Sequence, residues 1–104
     1  MNLKGTLPLL IVQTLEREAL HGYAIAQRIK AQSQGVLDFK EGTLYPTLHS
    51  LEEQGVIEAS TVLEGGRTRH IYRLTDKGTA FLEAQQREWA KLSSAINGVL
   101  AGAK

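Results

Sequence analysis

Apolar side chains near the start of the chain recur at intervals of three and four residues, which is the spacing of one face of an α-helix. The residues on this face are Leu7, Leu10, Ile11, Thr14 and Leu15. They follow Gly5-Thr6 and predict a first helix, in which Pro8 is tolerated because it falls in the first turn. Leu9 and Val12 lie off this face and form a second apolar strip. We expect a partner chain to cover that strip, since a monomer of this size has little else to bury it.

The same period predicts a second, shorter helix after His21-Gly22 interrupts the first pattern. Ile25 and Ile29 lie one turn apart on it, and it ends within residues 33–35.

A third helix follows an extended linker at residues 36–39. It opens at Gly42-Thr43 and closes at Gln54-Gly55. The apolar residues that share one of its faces are Leu44, Leu48 and Leu51.

Between residues 56 and 74 the period changes from 3.6 to about 2, which predicts two β-strands. The alternating positions are Ile57, Ala59 and Thr61, and then His70, Tyr72 and Leu74. Gly65-Gly66 turns the chain between them, so the segment is predicted to be a β-hairpin. Its tip is polar and should project into solvent or onto a ligand.

Thr75-Asp76 is predicted to cap a long final helix. The inward positions of this helix are Leu82, Gln85, Trp89, Leu92, Ile96 and Val99. Their alternating spacing of three and four residues is typical of a coiled-coil seam, so we predict that they form a dimer interface together with Leu9 and Val12. Gln85 interrupts the apolar seam, and one polar residue in such a position can fix the register of two helices.

Three helices, a hairpin and a long helix are the element order of a winged helix-turn-helix with an added dimerisation helix. We therefore predict a mainly α (α+β) fold with a two-stranded wing. Residues 1–75 form the DNA-binding domain and residues 76–104 the dimerisation helix, and the two build one compact unit. A chain of 104 residues with 42% hydrophobic and 22% charged residues fits a single ordinary globular domain.

Several classes of protein are disfavoured by what the sequence lacks. It has no cysteine, which removes disulfides and thiolate zinc sites and agrees with the reducing cytoplasm, where we expect the protein. Its longest apolar run, residues 7–12, is too short for a membrane span. It has no nucleophile elbow or phosphate-binding glycine loop, and its three histidines lack metal-ligand spacing. We expect no enzyme activity, no cofactor and no metal.

The net charge of +1 gives nucleic-acid binding no support, but the distribution of charge is uneven. Arg67, Arg69 and Arg73 follow the Gly-Gly turn, whereas residues 41–55 contain no Lys or Arg. Arginine side chains that could attract phosphates are thus expected at the hairpin, whereas the third helix offers only the partial positive charge of its N-terminus.

Four motifs resemble those of the PadR family of transcriptional regulators. They are KGTL at 4–7, LHGY at 20–23, EGTLYPTL at 41–48, and YRLT at 72–75 followed by Gly78. The GTLYP block is specific to that family, whereas the LTxxG block occurs in many winged-helix groups. The resemblance runs from Lys4 to about Leu100, and the single C-terminal helix is similar to that of the short PadR subfamily.

The resemblance implies a homodimeric bacterial or archaeal regulator, commonly a repressor, that binds a near-palindromic operator in double-stranded DNA. It also implies that the C-terminal helices pack against the partner subunit. Some PadR members release DNA when they bind a small planar aromatic effector.

The third helix has a second face, opposite its leucines, that we predict enters the major groove. It carries Tyr45, Pro46, His49 and Ser50, with Thr43 and Thr47 on its flank. The resemblance places the matching Thr43, Tyr45, Pro46 and His49 at the DNA. Alternatively, Tyr45 packs along the hairpin and His49 is an ordinary solvated residue. Because the helix lacks Arg and Lys, base preference has to come from these side chains or from DNA shape.

Arg67 and Arg69 at the hairpin tip are predicted to contact phosphates or the minor groove; the alternative is a solvated arginine pair. Lys4 and Tyr23 are candidate clamps on the DNA backbone, although Tyr23 is equally compatible with a core position.

Trp89 is the first candidate for binding a small aromatic effector, because the resemblance implies that some PadR-like dimers sandwich planar ligands between interface aromatics. The alternative is a core tryptophan. For the protein as a whole, the alternative function is a winged-helix module that docks onto another protein and does not bind DNA specifically. The missing basic residues on the third helix are the observation that keeps this alternative open.

Overall fold

The computed structural model describes the backbone of residues 3–102 and the side chains of residues 5–102. The helices are α1 (Leu3–Leu15), α2 (Gly22–Gln32), α3 (Glu41–Glu53) and α4 (Asp76–Leu100). The strands are β1 (Leu20–His21), β2 (Ile57–Glu64) and β3 (Arg67–Leu74). The four helices and the hairpin confirm the mainly helical winged helix-turn-helix fold expected from the sequence.

The sheet contains a third strand that the sequence pattern did not predict. β1 pairs antiparallel with β3, with Leu20 opposite Tyr72 and His21 opposite Ile71, and the strand order is β1-β3-β2. Two residues are too few for a period of two to be recognised. This short strand fixes the start of α2 against the base of the wing.

α1 lies at the centre of the molecule, in contact with α2, α3 and α4. Its fully or almost fully buried side chains are Leu7, Ile11, Val12 and Leu15. Val12 is 0% exposed, so its assignment to a surface covered by a partner chain is wrong: the chain's own helices enclose it. The placement of Pro8 in the first turn is also wrong, because α1 begins at Leu3 and Pro8 lies in the second turn.

The other helices and the hairpin complete one core around α1. Their buried side chains are Ile25, Ile29, Leu44, Leu48, Leu51, Val56, Ile57, Tyr72 and Leu82. Leu82 is only 1% exposed, so its assignment to the dimer interface is wrong as well. The first turns of α4 pack into the chain's own core, so an interface with a partner chain would have to begin further along the helix.

The end of α3 and the turn of the wing both rely on glycine with positive φ. Gly55, at φ 76°, donates its N–H to the Glu52 carbonyl (3.0 Å), and Val56 donates to the Leu51 carbonyl (3.0 Å). This double hydrogen bond is a Schellman ending. Gly65 and Gly66, at φ 52° and 79°, form the two-residue turn between β2 and β3, as a tight hairpin requires.

α4 extends well beyond the body of the molecule. It has 25 residues and therefore a length of about 37 Å. The molecule measures 60 × 29 × 22 Å, and its radius of gyration of 15.4 Å exceeds the roughly 13 Å of a compact domain of this length. Within residues 3–102, no helix combines the length and the apolar character that a membrane span needs.

Candidate nucleic-acid interface

The outer face of α3 is exposed and carries no lysine or arginine. Pro46, His49 and Ser50 are exposed on it, while Thr43 and Thr47 are half-buried at its edge. The Thr47 hydroxyl donates a hydrogen bond to the Thr43 carbonyl within the helix (3.0 Å). Contacts from this face to base edges would therefore use neutral groups and apolar surface.

Tyr45 does not share this outer face. It is half-buried, and its ring lies directly on Gly22: a Cβ on that glycine would be 2.8 Å from the Tyr45 hydroxyl and 2.9 Å from Cε1. Gly22 therefore leaves the space that the Tyr45 ring occupies, and any side chain at this position would have to displace that ring. The structure thus places Tyr45 against the start of α2, where its ring lines a cleft shared with residues of the hairpin.

A cleft of about 230 Å³ separates the start of α2 from the base of the wing. The residues that line it are His21, Gly22, Tyr23, Tyr45, Thr68, Arg69, His70 and Tyr72. None of these lining residues is acidic, and most carry an N–H or O–H donor. The cleft therefore presents hydrogen-bond donors, and Tyr45 is the residue of α3 that lines it.

His21 connects the start of α2 to the wing. Its Nδ1 accepts a hydrogen bond from the backbone N–H of Ala24 (3.2 Å), so it caps the helix. Its Nε2 lies 3.4 Å from Nη1 of Arg69, and its ring stacks on that of Tyr23, with 6.5 Å between the ring centroids.

The wing arginines have different surroundings. Arg67, at the turn, is exposed. Arg69 is half-buried, with its Nε 3.9 Å from a carboxylate oxygen of Glu64. Arg73 forms an ion pair with Glu58 across the strands. Arg69 is thus the wing arginine that reaches the cleft, while Arg67 extends the positive charge to the tip.

Tyr23 and Lys4 are the two residues predicted to contact the DNA backbone, and the structure describes the side chain of Tyr23 only. Tyr23 is 61% exposed, which excludes the alternative of a core position. The side chain of Lys4 lies outside the described residues.

Tyr72 lies at the back of the cleft and is 4% exposed. Burial raises the pKa of its phenol, and the nearby Glu52 and Tyr45 shift the pKa in the same direction. The hydroxyl therefore stays protonated at neutral pH and remains a donor.

The second candidate surface is the apolar strip of α4, which differs from the donor-lined cleft in being apolar. Its exposed members are Trp89, Leu92, Ile96, Val99 and Leu100. Trp89 borders two cavities: one of about 490 Å³ lined mainly by Leu9, Leu10, Val36 and Leu37, and one of about 400 Å³ lined by Leu9, Gln85, Leu92 and Ile96 among others. Since Trp89 is 40% exposed, the alternative of a core tryptophan does not describe it.

Sequence reasoning missed His21, Thr68 and His70 as members of the cleft. The available signal was the position of His21 just before a helix, where a side chain that accepts a hydrogen bond caps the backbone. The alternating pattern of the strands predicted that His70 lies on a strand. It did not predict which residues His70 faces, because the elements across the cleft lie about 50 positions away in sequence.

Comparison with known proteins gives consistent results. The family model described as the transcriptional regulator PadR-like family matches residues 11–84. The chain is 34% identical to the transcriptional regulator Rv3488 of Mycobacterium tuberculosis over 76% of its own length and 71% of that protein. It is similar to the solved structure of smu.1704 from Streptococcus mutans, with a TM-score of 0.85, 33% identity, and coverage of 97% of this chain and 92% of that one. A PadR family transcription regulator of Clostridium difficile gives a TM-score of 0.79 at 32% identity, covering 92% of this chain and 99% of that one.

Proposed function

Since the chain belongs to the PadR-like family of transcriptional regulators, we propose that it binds double-stranded DNA sequence-specifically, as a homodimer, with α3 in the major groove and the wing on the backbone. Members of this family are regulators and not enzymes, which confirms the expectation that the chain is not an enzyme. We propose further that it acts as a repressor on a near-palindromic operator.

The observation that carries this proposal is the arrangement around the cleft. Tyr45 of α3, the start of α2 and the base of the wing meet there, and the donors of His21, Tyr23 and Arg69 all reach the same space. A phosphate backbone is a row of acceptors, and half or more of the hydrogen bonds in protein–DNA complexes go to it. The neutral outer face of α3 then supplies contacts to base edges.

The apolar strip of α4 supports the homodimer. Leu92, Val99 and Leu100 are more than half exposed, and Ile96 is 40% exposed. Such a strip on a projecting helix is the surface that a second copy of the helix covers. Two copies would also supply two recognition helices for a two-fold symmetric site.

The test is selection of the purified protein against a pool of random-sequence duplexes. We expect enrichment of a symmetric site with half-sites about one helical turn apart. If the dimer neutralises roughly 6 to 10 phosphates, affinity should fall on the order of 10³- to 10⁵-fold between about 50 and 200 mM salt.

Substitution of both Arg67 and Arg69 by Ala discriminates DNA binding from the alternative of protein docking. A DNA-binding protein should lose affinity for all sequences and show a flatter salt dependence. No enrichment of any site, together with a flat salt response in the unmodified protein, would favour the docking module, in which α3 binds a protein and these arginines are dispensable.

We propose that a small planar aromatic effector binds beside Trp89. The support is that Trp89 lies between two largely apolar cavities, where a flat ring can stack on the indole. Saturable quenching of Trp89 fluorescence by such a compound, coupled to release of DNA, is the expected result. A Trp89→Ala protein that still releases DNA with the same compound would exclude this site.

A further inference from the structure

The two ring nitrogens of His21 face two different N–H donors. Nδ1 accepts from the backbone N–H of Ala24, so Nδ1 carries no proton. A neutral imidazole has one proton, which must then be on Nε2. Nε2 is 3.4 Å from Nη1 of Arg69, and a guanidinium nitrogen is always a donor.

Two donors therefore point at each other across the mouth of the cleft. They cannot form a hydrogen bond with one another, and an oxygen that accepts from both would satisfy both. The other contact of Arg69 does not change this, because Glu64 approaches its Nε and not its Nη1, at 3.9 Å and in an exposed position. Exposed ion pairs of this kind are weak and easily displaced.

The surroundings fit an anionic oxygen. No acidic residue is among the described side chains that line the cleft, and the cleft volume of about 230 Å³ admits a phosphate group. The hydrogen bond from the Ala24 N–H to Nδ1 sets the direction of Nε2, and the Tyr23 ring stacks on the imidazole at an interplanar angle of 20°. His21 and Arg69 come from β1 and β3, so sheet pairing holds their backbones in register.

We propose that His21 and Arg69 together hold one backbone phosphate of duplex DNA, whose oxygen accepts from both Nε2–H of His21 and Nη1–H of Arg69. His21 thus has two roles, since Nδ1 caps α2 while Nε2–H binds the phosphate. This inference rests on the proposed DNA binding and adds to it a specific residue pair and a specific ligand group. A free phosphate has the same chemistry, and the experiment below separates the two sources.

Two substitutions isolate the pair without removing the cap. His21→Asn keeps an N-cap side chain, because asparagine is among the best residues at that position, and it removes the Nε2–H donor with no change in charge. Arg69→Gln removes the guanidinium. Arg73→Gln is the matched control, since it removes one positive charge from the same strand at a residue outside the cleft.

The measurement is the affinity of each protein for a fluorescently labelled duplex, by anisotropy, as a function of salt. We expect His21→Asn to weaken binding about tenfold per DNA-bound protomer, the range for a hydrogen bond to a charged group. In the Arg69→Gln background, the same change should weaken binding by less than about threefold, because a shared phosphate couples the two residues. Arg69→Gln should also lower the salt slope by about 0.9 per protomer.

Nitrogen-15 NMR of the His21 ring gives a second measurement. We expect Nδ1 without a proton and Nε2 with one in the free protein, and a shift of Nε2 on addition of duplex. An Nε2 without a proton would overturn the proposal, since Arg69 would then already have its acceptor. A shift with inorganic phosphate but not with duplex would also overturn it.

The possible failures are distinguishable. If the unmodified protein binds duplex but the effects of the two substitutions add, or His21→Asn has no effect, the shared phosphate is wrong and DNA binding stands. If the unmodified protein binds no duplex, both proposals are wrong.

Discussion

At the residue scale, the junction between the wing and α4 depends on Thr75 and Gly78. Thr75 Oγ1 donates towards the carbonyl oxygens of Gly55 (2.6 Å) and Val56 (3.0 Å) and accepts from the N–H of Gly78 (3.0 Å). A Cβ on Gly78 would lie 2.1 Å from the Val56 oxygen. The close approach of α4 to the end of α3 therefore explains both the threonine and the glycine of the LTxxG block.

Gly78→Ala should consequently destabilise the protein, by about 2 kcal/mol or more, because the backbone of Val56 has to move. Gly98→Ala is the matched control in the same helix. No neighbouring atom lies within 4 Å of its added Cβ, so that change should raise stability by about 0.5–1 kcal/mol. Chemical unfolding measures both. Equal effects of the two substitutions would refute the steric account.

Tyr72 gives a prediction for alkaline pH. Because burial raises the pKa of its phenol, the folded protein binds this proton more tightly than the unfolded chain does. The corresponding stability is complete below the ordinary tyrosine pKa of about 10 and is lost as pH rises through the higher value of the folded state. In an ultraviolet titration of tyrosinate, Tyr72→Phe should remove the last step to appear. Loss of an earlier step would contradict the assignment.

At the element scale, the charged side chains are divided unevenly between α3 and the wing. α3 contains Glu41, Glu52 and Glu53 but no Lys or Arg, whereas the wing carries Arg67 and Arg69. Phosphate contacts position a protein on DNA and base contacts specify the sequence. We therefore expect the wing to provide affinity and α3 to provide preference.

This division predicts opposite outcomes for two exposed residues. Arg67→Ala should weaken binding to all duplexes alike and lower the salt slope by about 0.9 per protomer. His49→Ala should leave the slope unchanged and relax preference at a fixed position of the site, at a cost of about 1–3 kcal/mol for the preferred base. Repeating the duplex selection with each variant, alongside salt titrations, tests both. A changed preference with Arg67→Ala would reverse the assignment.

At the scale of the whole molecule, the distal half of α4 carries most of the large exposed apolar side chains among the described residues. Val12 and Leu82 already belong to the chain's own core, so the apolar surface that remains on α4 is the strip from Trp89 to Leu100, with Leu9 beside it. The elongated shape of the molecule follows from this projecting helix.

Ile96→Glu should therefore convert a dimer to a monomer, because it places a charge within the apolar strip. Asn97→Glu, at the next position and on a different side of α4, is the control and should leave the dimer intact. Sedimentation equilibrium of the three proteins gives the masses directly. A monomeric unmodified protein, or a dimer that survives Ile96→Glu, would remove α4 as the interface.

The sequence alone determined the four helices and the hairpin, because their periods of 3.6 and 2 and their cap and turn residues are local signals. The cap bond from the Gly78 N–H to Thr75, the ending of α3 at Gly55 and the Gly65-Gly66 turn of the wing each involve residues only a few positions apart. The family motifs are likewise contiguous stretches of chain.

Only the tertiary structure decided what depends on distant elements meeting. β1 exists because β3 offers it hydrogen bonds, and Val12 and Leu82 are buried because neighbouring helices reach them. The approach of His21 to Arg69 spans 48 positions of sequence. A helical period states which residues share a face, but it does not state whether that face meets the chain's own core or a partner, because burial is a property of the assembled elements.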